Sequence, residues 1–407
     1  MGSESRNRYL LKNTLIFTLG NIGSRMISFF LIPLYTNVLT TSQYGAVDLI
    51  TTISTVAGPM LTLNIAESVM RFGLDKDADK EKNTQCGSIV LLIAMIIGLV
   101  LIPICRCIAE VSGYAMYVYF YVISLSASQL FLCDLRGKEL LLKYSLGNIL
   151  QTLMIAILNI TFLLVFKMET GGYLLAYIIA NFIVAIYAII AGKGYKAFSF
   201  HNIDRCKLKE MIRYSVVLIP NTFMWWIMNS SDRVMVTYMI GAAANGIYAV
   251  SYKLPTLVST LTGIFNQAWS YSAIREEGTS DETEYNNKMF KTLSAIAFMM
   301  GIGLLLLTKP FLRVYVADSY YDAWKYTPFL IVGCVYLTLG TFMATSYTVH
   351  KDSFGYLFSG SFGAVFNILL NFILIPVIGV YGAALATCIS YICLLYTSPS
   401  PRDSTSS

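Results

Sequence analysis

Three cationic side chains interrupt long apolar stretches of this 407-residue sequence: Arg25, Arg233 and Lys253. A charged side chain at the centre of a membrane helix costs about 2.5–3.5 kcal/mol, so such residues normally face a water-filled cavity or a partner of opposite charge. Because a guanidinium fork binds phosphate oxygens in pairs, these residues predict a cationic cavity for an anionic headgroup. The structural alternative is that each cation pairs with an acid or a helix-end carbonyl and only fixes packing.

Acidic residues near these cations bear on both interpretations. Asp232 precedes Arg233, but adjacent residues point to different helix faces and are poorly placed to neutralise each other. Asp48 fits a cavity-facing position and an interfacial position equally well. Glu67 and Arg71 are four residues apart, a spacing that favours an ion pair near the end of a helix. We therefore place Asp232 among the candidate binding residues and Asp48, Glu67 and Arg71 among possible supporting ones.

The composition places these charges in a membrane protein. The chain is 56% hydrophobic and only 13% charged, with a mean hydropathy of +0.63, whereas soluble domains carry about 25% charged residues. The net charge of +6 could suggest a nucleic-acid partner, but a basic binding face needs a soluble surface that this composition does not provide. We therefore expect the lipid bilayer, and no nucleic acid, as a partner.

Apolar runs of about twenty residues, each long enough for a transmembrane helix, alternate with polar breaks. The sequence predicts an all-α integral membrane protein of about twelve transmembrane helices. The predicted spans are residues 11–35, 46–70, 87–108, 114–133, 145–166, 171–192, 214–240, 244–268, 291–312, 326–349, 356–377 and 380–396.

Lysines and arginines are distributed unevenly between alternate loops. Most of the 29 lie at the N-terminus and in every second loop, and the opposite loops carry only Arg106, Lys167, Lys309, Arg313 and Lys325. By the positive-inside rule, the N-terminus is predicted to be cytoplasmic.

A weak internal repeat divides the predicted spans. Asn21-Ile-Gly-Ser-Arg25 resembles Asn229-Ser-Ser-Asp-Arg233, and Gly172-Tyr173 meets Val380-Tyr381 at the same separation along the chain. The sequence therefore predicts two six-helix bundles related by an internal repeat, at residues 1–192 and 214–392, joined by a cytoplasmic linker at 193–213. Such architectures place the substrate near the membrane midplane between the repeats.

The sequence offers little for catalysis, metal binding or nucleotide hydrolysis. Its eight cysteines are scattered, mostly within apolar runs, and it has only two histidines, so no metal or catalytic site is expected. The sequence has no P-loop, so ATP does not drive it directly. We expect no cofactor, and an Na⁺ or H⁺ gradient is one possible energy source.

Several landmarks together resemble the polysaccharide-transporter branch of the multidrug/oligosaccharidyl-lipid/polysaccharide exporter superfamily. The resemblance covers nearly the whole chain, and its landmarks are Asn21, Arg25, Tyr44-Gly45, Ala66-Glu67-Ser68-Val69-Met70-Arg71-Phe72, Pro220, Trp226, Asp232-Arg233, Gly246-Ile247-Tyr248, Lys253, Asn367, Asn371, Pro376 and Gly379-Val-Tyr-Gly-Ala-Ala-Leu-Ala-Thr387.

This resemblance implies a flippase for a polyprenyl-pyrophosphate-linked oligosaccharide, such as an O-antigen, capsule or exopolysaccharide repeat unit. It implies movement from the cytoplasmic to the outer leaflet by two bundles that open alternately. Arg25 and Arg233, with Lys253, Asn21 and Asp232, would then bind the substrate, and the partners would be the lipid-linked oligosaccharide and the polysaccharide polymerase machinery.

Two other functions remain open. An ion-coupled multidrug exporter of the same superfamily would need buried acids for cationic substrates, and Asp48 and Asp232 keep it under consideration. A membrane glycosyltransferase or polymer ligase would need a large outer loop with catalytic groups, whereas the longest predicted outer loop is short and carries only Asp318 and Asp322 as acids. The sequence therefore favours a transporter over an enzyme.

The C-terminal residues form a separate segment. Residues 393–407, from Cys393 through a Pro/Ser-rich tail, match what one frame of a sequencing-library adaptor encodes. We interpret this segment as an artefact and expect the natural protein to continue differently.

Overall fold

The computed structural model describes residues 29–75, 77–106, 112–198, 203–276, 282–349 and 353–397, and every regular element in these ranges is helical. We number the α-helices α1 to α14 in chain order. They are Ile32–Val38, Thr41–Leu61, Ile65–Gly73, Lys80–Arg106, Ala115–Gly137, Leu141–Ile160, Glu169–Ala191, Arg205–Met239, Ala242–Ser251, Pro255–Glu276, Glu282–Tyr315, Thr327–Val349, Ser353–Ile378 and Val380–Thr397. The protein is thus an all-α chain.

Within the described residues, eight helical segments are long and apolar enough to cross a membrane, and a ninth is obtained if α2 and α3 are counted as one bent span. Five of the eight contain α4, α5, α6, α7 and α14, and the other three are Glu284–Tyr315 of α11, Thr327–Tyr347 of α12 and Gly355–Ile378 of α13. The chain is therefore a multi-pass membrane protein. The predicted span 11–35 lies mostly outside the described residues, and α1 contains its end.

The predicted spans 214–240 and 244–268 are helical, but neither is among the segments that are both long and apolar enough to cross a membrane. The first corresponds to α8, which carries Asp232 and Arg233. The second is divided between α9 and α10, with Lys253 in the turn between them. Pro255 begins α10, the helix position at which a missing backbone N–H costs least. The second predicted span is therefore interrupted at the candidate binding residue Lys253.

The predicted span 46–70 is broken. Its two halves, α2 and α3, meet at an angle of 60°. Leu63 and Asn64, between them, both adopt left-handed backbone conformations, with φ of 51° and 54°. The Asn64 amide still donates a hydrogen bond to the Thr222 hydroxyl at 3.4 Å. A left-handed conformation costs a non-glycine residue roughly 1–2 kcal/mol, so surrounding contacts must hold this bend.

The helices group into two compact units. Unit 1 contains residues 1–39 and 50–222, and unit 2 contains residues 40–49 and 223–407. The division differs from the sequence-based one because the first turns of α2 pack within unit 2, and because the predicted linker, with its short 3₁₀ segment Gly194–Phe198, belongs to unit 1.

Unit 1 has an apolar core around Cys86, Leu130, Leu135 and Met211. At one end of this core, Lys138 Nζ pairs with the buried Asp134 carboxylate at 2.6 Å. The same ammonium donates to the carbonyl of Gly192, just past the end of α7. Thr84 also donates to Asp134. Because charge and hydrogen bonds are both satisfied, this buried carboxylate is compatible with the core.

Unit 2 has a core around Tyr248, Leu330, Ala383 and Ala384. The first turns of α2 approach α9 closely through glycine: a Cβ added at Gly45 would lie 1.8 Å from the carbonyl oxygen of Ala242. This contact places Asp48, one helical turn after Gly45, beside the polar residues of α8 and α9.

Candidate functional site

The site centres on an ion pair between Asp48 of α2 and Arg233 of α8, both in unit 2. Arg233 Nη1 lies 3.2 Å from Asp48 Oδ1, and the side chains are 18% and 7% exposed. Asn245 at the start of α9 donates to the other carboxylate oxygen at 3.3 Å and to the carbonyl of Gly45 at 3.1 Å. The Asp48 carboxylate is therefore held from two sides, by one charged donor and one neutral donor.

The guanidinium of Arg233 is only partly engaged. It lies over the ring of Tyr252, 4.5 Å from the ring centroid, a cation–π contact that stabilises a partly desolvated charge. Its Nε is buried and has no hydrogen-bond partner among the described residues. A guanidinium carries five N–H donors in a fixed fork, so this one retains capacity for another anionic acceptor.

Lys253 adds a second positive charge to the site. It lies in the turn after α9, is half-buried, and interacts electrostatically with both Arg233 and Asp48. Among the described residues it forms no ion pair within 4.0 Å. Arg233 also interacts electrostatically with Asp232, so two acids, Asp48 and Asp232, accompany the two cations.

Asp232 belongs to an adjoining network of hydroxyl groups that shares Tyr252 with the Arg233 guanidinium. Its carboxylate accepts hydrogen bonds from the hydroxyls of Tyr248 at 2.7 Å, Thr387 at 3.0 Å and Tyr252. The backbone N–H of Arg233 donates to its other oxygen at 2.9 Å. The two neighbouring side chains thus have different partners: Arg233 contacts Asp48, and Asp232 contacts hydroxyl groups.

A layer of buried amides lies beside this network on α13. Asn371 Nδ2 donates to the backbone oxygen of Asn367 at 2.9 Å and to its side-chain oxygen at 3.0 Å. Asn367 in turn joins α8 through Ser231 and α14 through Ser390. These bonds connect three helices, which is the usual role of polar side chains within membrane bundles.

The predicted ion pair between Glu67 and Arg71 is wrong. Arg71 Nη1 pairs with Asp75 Oδ1 at 2.6 Å, and both side chains are about half-exposed. Helix α3 ends at Gly73, and the turn that follows brings Asp75 to the arginine at the helix end. Neither Glu67 nor Arg71 belongs to the cluster around Arg233.

Two of the predicted substrate-binding residues are not described by the structure. Asn21 and Arg25 lie outside the described residues. Four residues surround the two acids: Asn245 and Tyr252 were not predicted, and Tyr248 and Thr387 were named only as landmarks of the family resemblance, not as site residues. Asparagine and hydroxyl residues are common in membrane helices, so their types alone gave no signal. The Asn245-Gly246 pair, which follows the turn after α8 as Tyr44-Gly45 follows α1, was the one available indication.

The overall fold is that of a membrane transporter. An inward-facing multidrug resistance MATE family transporter of the MOP superfamily is similar over 94% of this chain and 92% of its own, with 13% identity and a TM-score of 0.72. An outward-facing structure of such a transporter matches with 15% identity and a TM-score of 0.64 over 95% and 93%.

A third similar structure is a MOP superfamily transporter from Pyrococcus furiosus, for which reverse polarity of the binding pocket suggests a different function. It shares 14% identity over 97% of this chain and 95% of its own, with a TM-score of 0.62. No curated protein sequence matches the chain significantly. The model of the family described as "Polysaccharide biosynthesis protein" matches residues 10–274. The chain belongs to this family.

Proposed function

We propose that the protein is a flippase that moves a polyprenyl-pyrophosphate-linked oligosaccharide from the cytoplasmic to the outer leaflet of a bacterial inner membrane. Transport would proceed by alternating access around a cationic cavity, with the N-terminus in the cytoplasm. A charged, glycan-bearing headgroup cannot cross hydrocarbon unaided, because burying its polar groups without partners is costly. A hydrated, positively charged path through the protein removes that cost.

The observation that carries this proposal is the unused hydrogen-bonding capacity of Arg233 beside a second cation. Its buried Nε has no partner among the described residues, and Lys253 lies near it as a second cation. Arginine and lysine are the side chains that bind phosphate groups in proteins. Family membership supports a role in polysaccharide biosynthesis.

The partners of the two acids also bear on the alternative function, that of an ion-coupled multidrug exporter. The structural neighbours include multidrug transporters, but at 13–15% identity they support only the fold. Both acids that could attract a cationic drug have partners: Asp48 contacts Arg233, and Asp232 accepts three hydroxyl groups. In the Pyrococcus furiosus transporter, reverse polarity of the binding pocket suggests a different function, and the unpartnered Arg233 Nε supports an anionic substrate here.

The proposal extends to energy source and partners. We propose coupling to an Na⁺ or H⁺ gradient without a bound cofactor. The lipid-linked oligosaccharide is the proposed substrate, and the polysaccharide polymerase machinery would consume it outside.

The test is a transport assay with the full chain in proteoliposomes. A fluorescent polyprenyl-pyrophosphate oligosaccharide is placed in one leaflet, and its appearance in the other is followed by quenching. We expect the wild type to transport the lipid and Arg233→Ala to do so at a rate lower by about tenfold or more. A loss of about 1.4 kcal/mol of binding free energy corresponds to a tenfold change. Lys325→Ala is the control, because Lys325 pairs with Asp322 outside the cluster.

Native mass spectrometry of the purified chain identifies which lipid is bound. Retention of a pyrophosphate-linked glycan by the wild type, and its loss in the Arg25→Ala/Arg233→Ala double variant, would support the proposal. Transport of the labelled lipid at the rate of protein-free vesicles would contradict it.

A further inference from the structure

Helix α8 carries three cationic side chains along one face of its first turns. Arg205, Lys209 and Arg213 follow one another at intervals of four residues, the spacing that places side chains side by side on a helix. All three side chains are exposed. We call these three residues the basic stripe.

The opposite face of the same turns packs against α3 within unit 1. The Ser68 hydroxyl donates a hydrogen bond to the carbonyl of Met211 at 2.7 Å. The ring of Phe72 lies 5.7 Å from the ring of Tyr214, centroid to centroid. The ammonium of Lys207 lies 4.3 Å from the centroid of the Phe72 ring. These contacts hold the first turns of α8 in place, so the basic stripe is presented on a fixed surface.

The acids next to the basic stripe in the sequence have other partners. Asp204 accepts a hydrogen bond from the backbone N–H of Lys207 at the start of α8, and Glu210 pairs with the ammonium of Lys207 at 3.5 Å. In the described parts of the chain, no carboxylate lies within 4.0 Å of a cation of the stripe. Residues 204–213 hold four cations and two acids, a net charge of +2. The stripe can therefore accept anionic groups from outside the protein.

The basic stripe continues directly into an exposed apolar surface. Val216 and Val217 are 41% and 72% exposed, and Pro220 is exposed as well. At about 100° per residue, these positions and the stripe fall within about 120° of the helix circumference. Exposed apolar side chains in a membrane protein are stable against lipid tails and costly against water. This side of α8 therefore changes from a lipid-facing surface to a cationic one within a single turn.

The length of α8 agrees with such a boundary. Its 35 residues correspond to about 52 Å at a rise of 1.5 Å per residue, and the hydrocarbon core of a bilayer is only about 30 Å thick. Part of the helix must extend past the lipid tails. Tyr214, 38% exposed, lies between the stripe and the valines, and tyrosine is enriched where lipid tails meet headgroups. The stripe thus lies at the depth of the headgroups or just beyond it.

We propose that the basic stripe of α8 binds the headgroups of anionic phospholipids in the surrounding bilayer. The lipid tails would lie along Val216 and Val217, and the long arms of lysine and arginine would reach the phosphate groups. Basic segments next to a membrane helix are attracted to anionic lipid surfaces, so charge complementarity and the adjoining apolar surface select the same partner. The proposal uses no residue of the cluster around Arg233 and goes beyond the proposed function.

The test is native mass spectrometry of the full chain, which counts the lipids retained from mixed micelles. The probes are anionic phosphatidylglycerol and neutral phosphatidylcholine. We expect the wild type to prefer phosphatidylglycerol and Arg205→Gln/Lys209→Gln/Arg213→Gln to bind it about tenfold or more weakly, because each basic residue near an anionic surface contributes about fivefold. The charge-conserving Arg205→Lys/Lys209→Arg/Arg213→Lys exchange should retain the preference, since the attraction depends on charge.

A matched control removes three cations that already have acidic partners. Arg71, Lys82 and Lys325 pair with Asp75, Asp79 and Asp322 respectively. Replacing all three cations by glutamine lowers the net charge by the same amount and should leave the preference for phosphatidylglycerol unchanged.

Salt titration of the wild type decides the question if the glutamine variant of the stripe does not fold. The rise in melting temperature given by phosphatidylglycerol over phosphatidylcholine should shrink as NaCl increases. The screening length falls from about 10 Å at 0.1 M to about 3 Å at 1 M salt.

The possible outcomes are distinct. A preference that is lost in the glutamine variant of the stripe and kept in the control supports the inference. An equal preference in that variant and the wild type, a wild type that binds both lipids equally, or a preference that does not depend on salt overturns it. A soluble acidic protein that leaves with the stripe while lipid retention stays constant would assign the stripe to a protein partner and also overturn it. None of these results depends on transport of the glycolipid, so the proposed function is tested separately.

Discussion

Gly45 of α2 and Gly246 of α9 face each other so closely that neither position has room for a methyl group. A Cβ at Gly45 would lie 1.8 Å from the carbonyl oxygen of Ala242, and one at Gly246 would lie 2.0 Å from that of Thr41. Both obstacles are backbone atoms, which cannot rotate away as a side chain can. This reciprocal contact sets the position of the first turns of α2, and with them of Asp48.

Gly246→Ala should therefore destabilise the protein, because the helices must separate to accept the methyl group. Overpacking of this kind costs about 1–3 kcal/mol. The matched control is Gly263→Ala in α10, where an added Cβ meets nothing within 4 Å. In the control, alanine should be neutral or stabilising by up to about 1 kcal/mol. Thermal unfolding in detergent compares them, and equal melting temperatures would show that the glycine contact is not required.

The hydroxyl groups around Asp232 should each contribute to stability. Tyr252→Phe and Thr387→Val each remove one donor from a buried carboxylate, and hydrogen bonds to charged groups contribute roughly 1.5–3 kcal/mol. The control is Tyr326→Phe, because the Tyr326 ring packs 6.5 Å from that of Tyr248 without a hydroxyl bond to Asp232. Free energies of unfolding measure the effect. A control as destabilised as the two test variants would mean that ring packing, not hydrogen bonding, dominates here.

The ammonium of Lys138 should be essential to unit 1. Lys138→Met leaves Asp134, whose side chain is 4% exposed, as a buried charge without its cation, and such a loss costs about 3–5 kcal/mol. Lys82→Met is the control, since Lys82 and Asp79 are about half-exposed and a surface pair contributes at most about 1 kcal/mol. Protein yield and melting temperature report the difference. A loss of stability no greater than that of the control would contradict a structural role for the buried pair.

The bend between α2 and α3 should tolerate glycine better than the helix before it does. Leu63 has φ of 51°, a conformation that glycine adopts without the roughly 1–2 kcal/mol penalty of other residues. Leu61 lies at the end of α2 and is similarly half-buried. Leu63→Gly should therefore be about 1–2 kcal/mol less destabilising than Leu61→Gly, because both lose the same side chain but only one relieves strain. Equal destabilisation in thermal unfolding would refute this account.

Much of the fold could be predicted because its signal is local. Eight membrane-spanning segments are continuous apolar runs, and the structure confirms them as helices. The spans carrying Asp232, Arg233 and Lys253 were also predicted as helices, although polar residues weaken their apolar character. The break at Leu63 was not predicted, because leucine favours a regular helix and only the flanking Pro59 and Asn64 indicated a turn.

The contacts of the candidate site could not be predicted in the same way. Asp48 and Arg233 are 185 residues apart, and no pattern within one helix records which helices will meet. Glu67 and Asp75 both lie four residues from Arg71, so spacing alone does not choose between them, and the pair that forms depends on where α3 ends. The polar shell of Asp232 comes from α9, the turn after it and α14, and only the folded chain brings these hydroxyls together.

The packing of residues 40–49 within unit 2 has a consequence for how the two halves could be made or separated. A C-terminal half produced by itself would lack the first turns of α2, which supply Gly45 to the contact with α9 and the Asp48 carboxylate to Arg233. In that half, the Arg233 guanidinium would lack its Asp48 partner, and Gly246 of α9 would lack the helix that packs against it. The two halves are therefore not independent modules, because the N-terminal half of the sequence supplies residues 40–49 to unit 2. A swapped element joins two protomers in a comparable way.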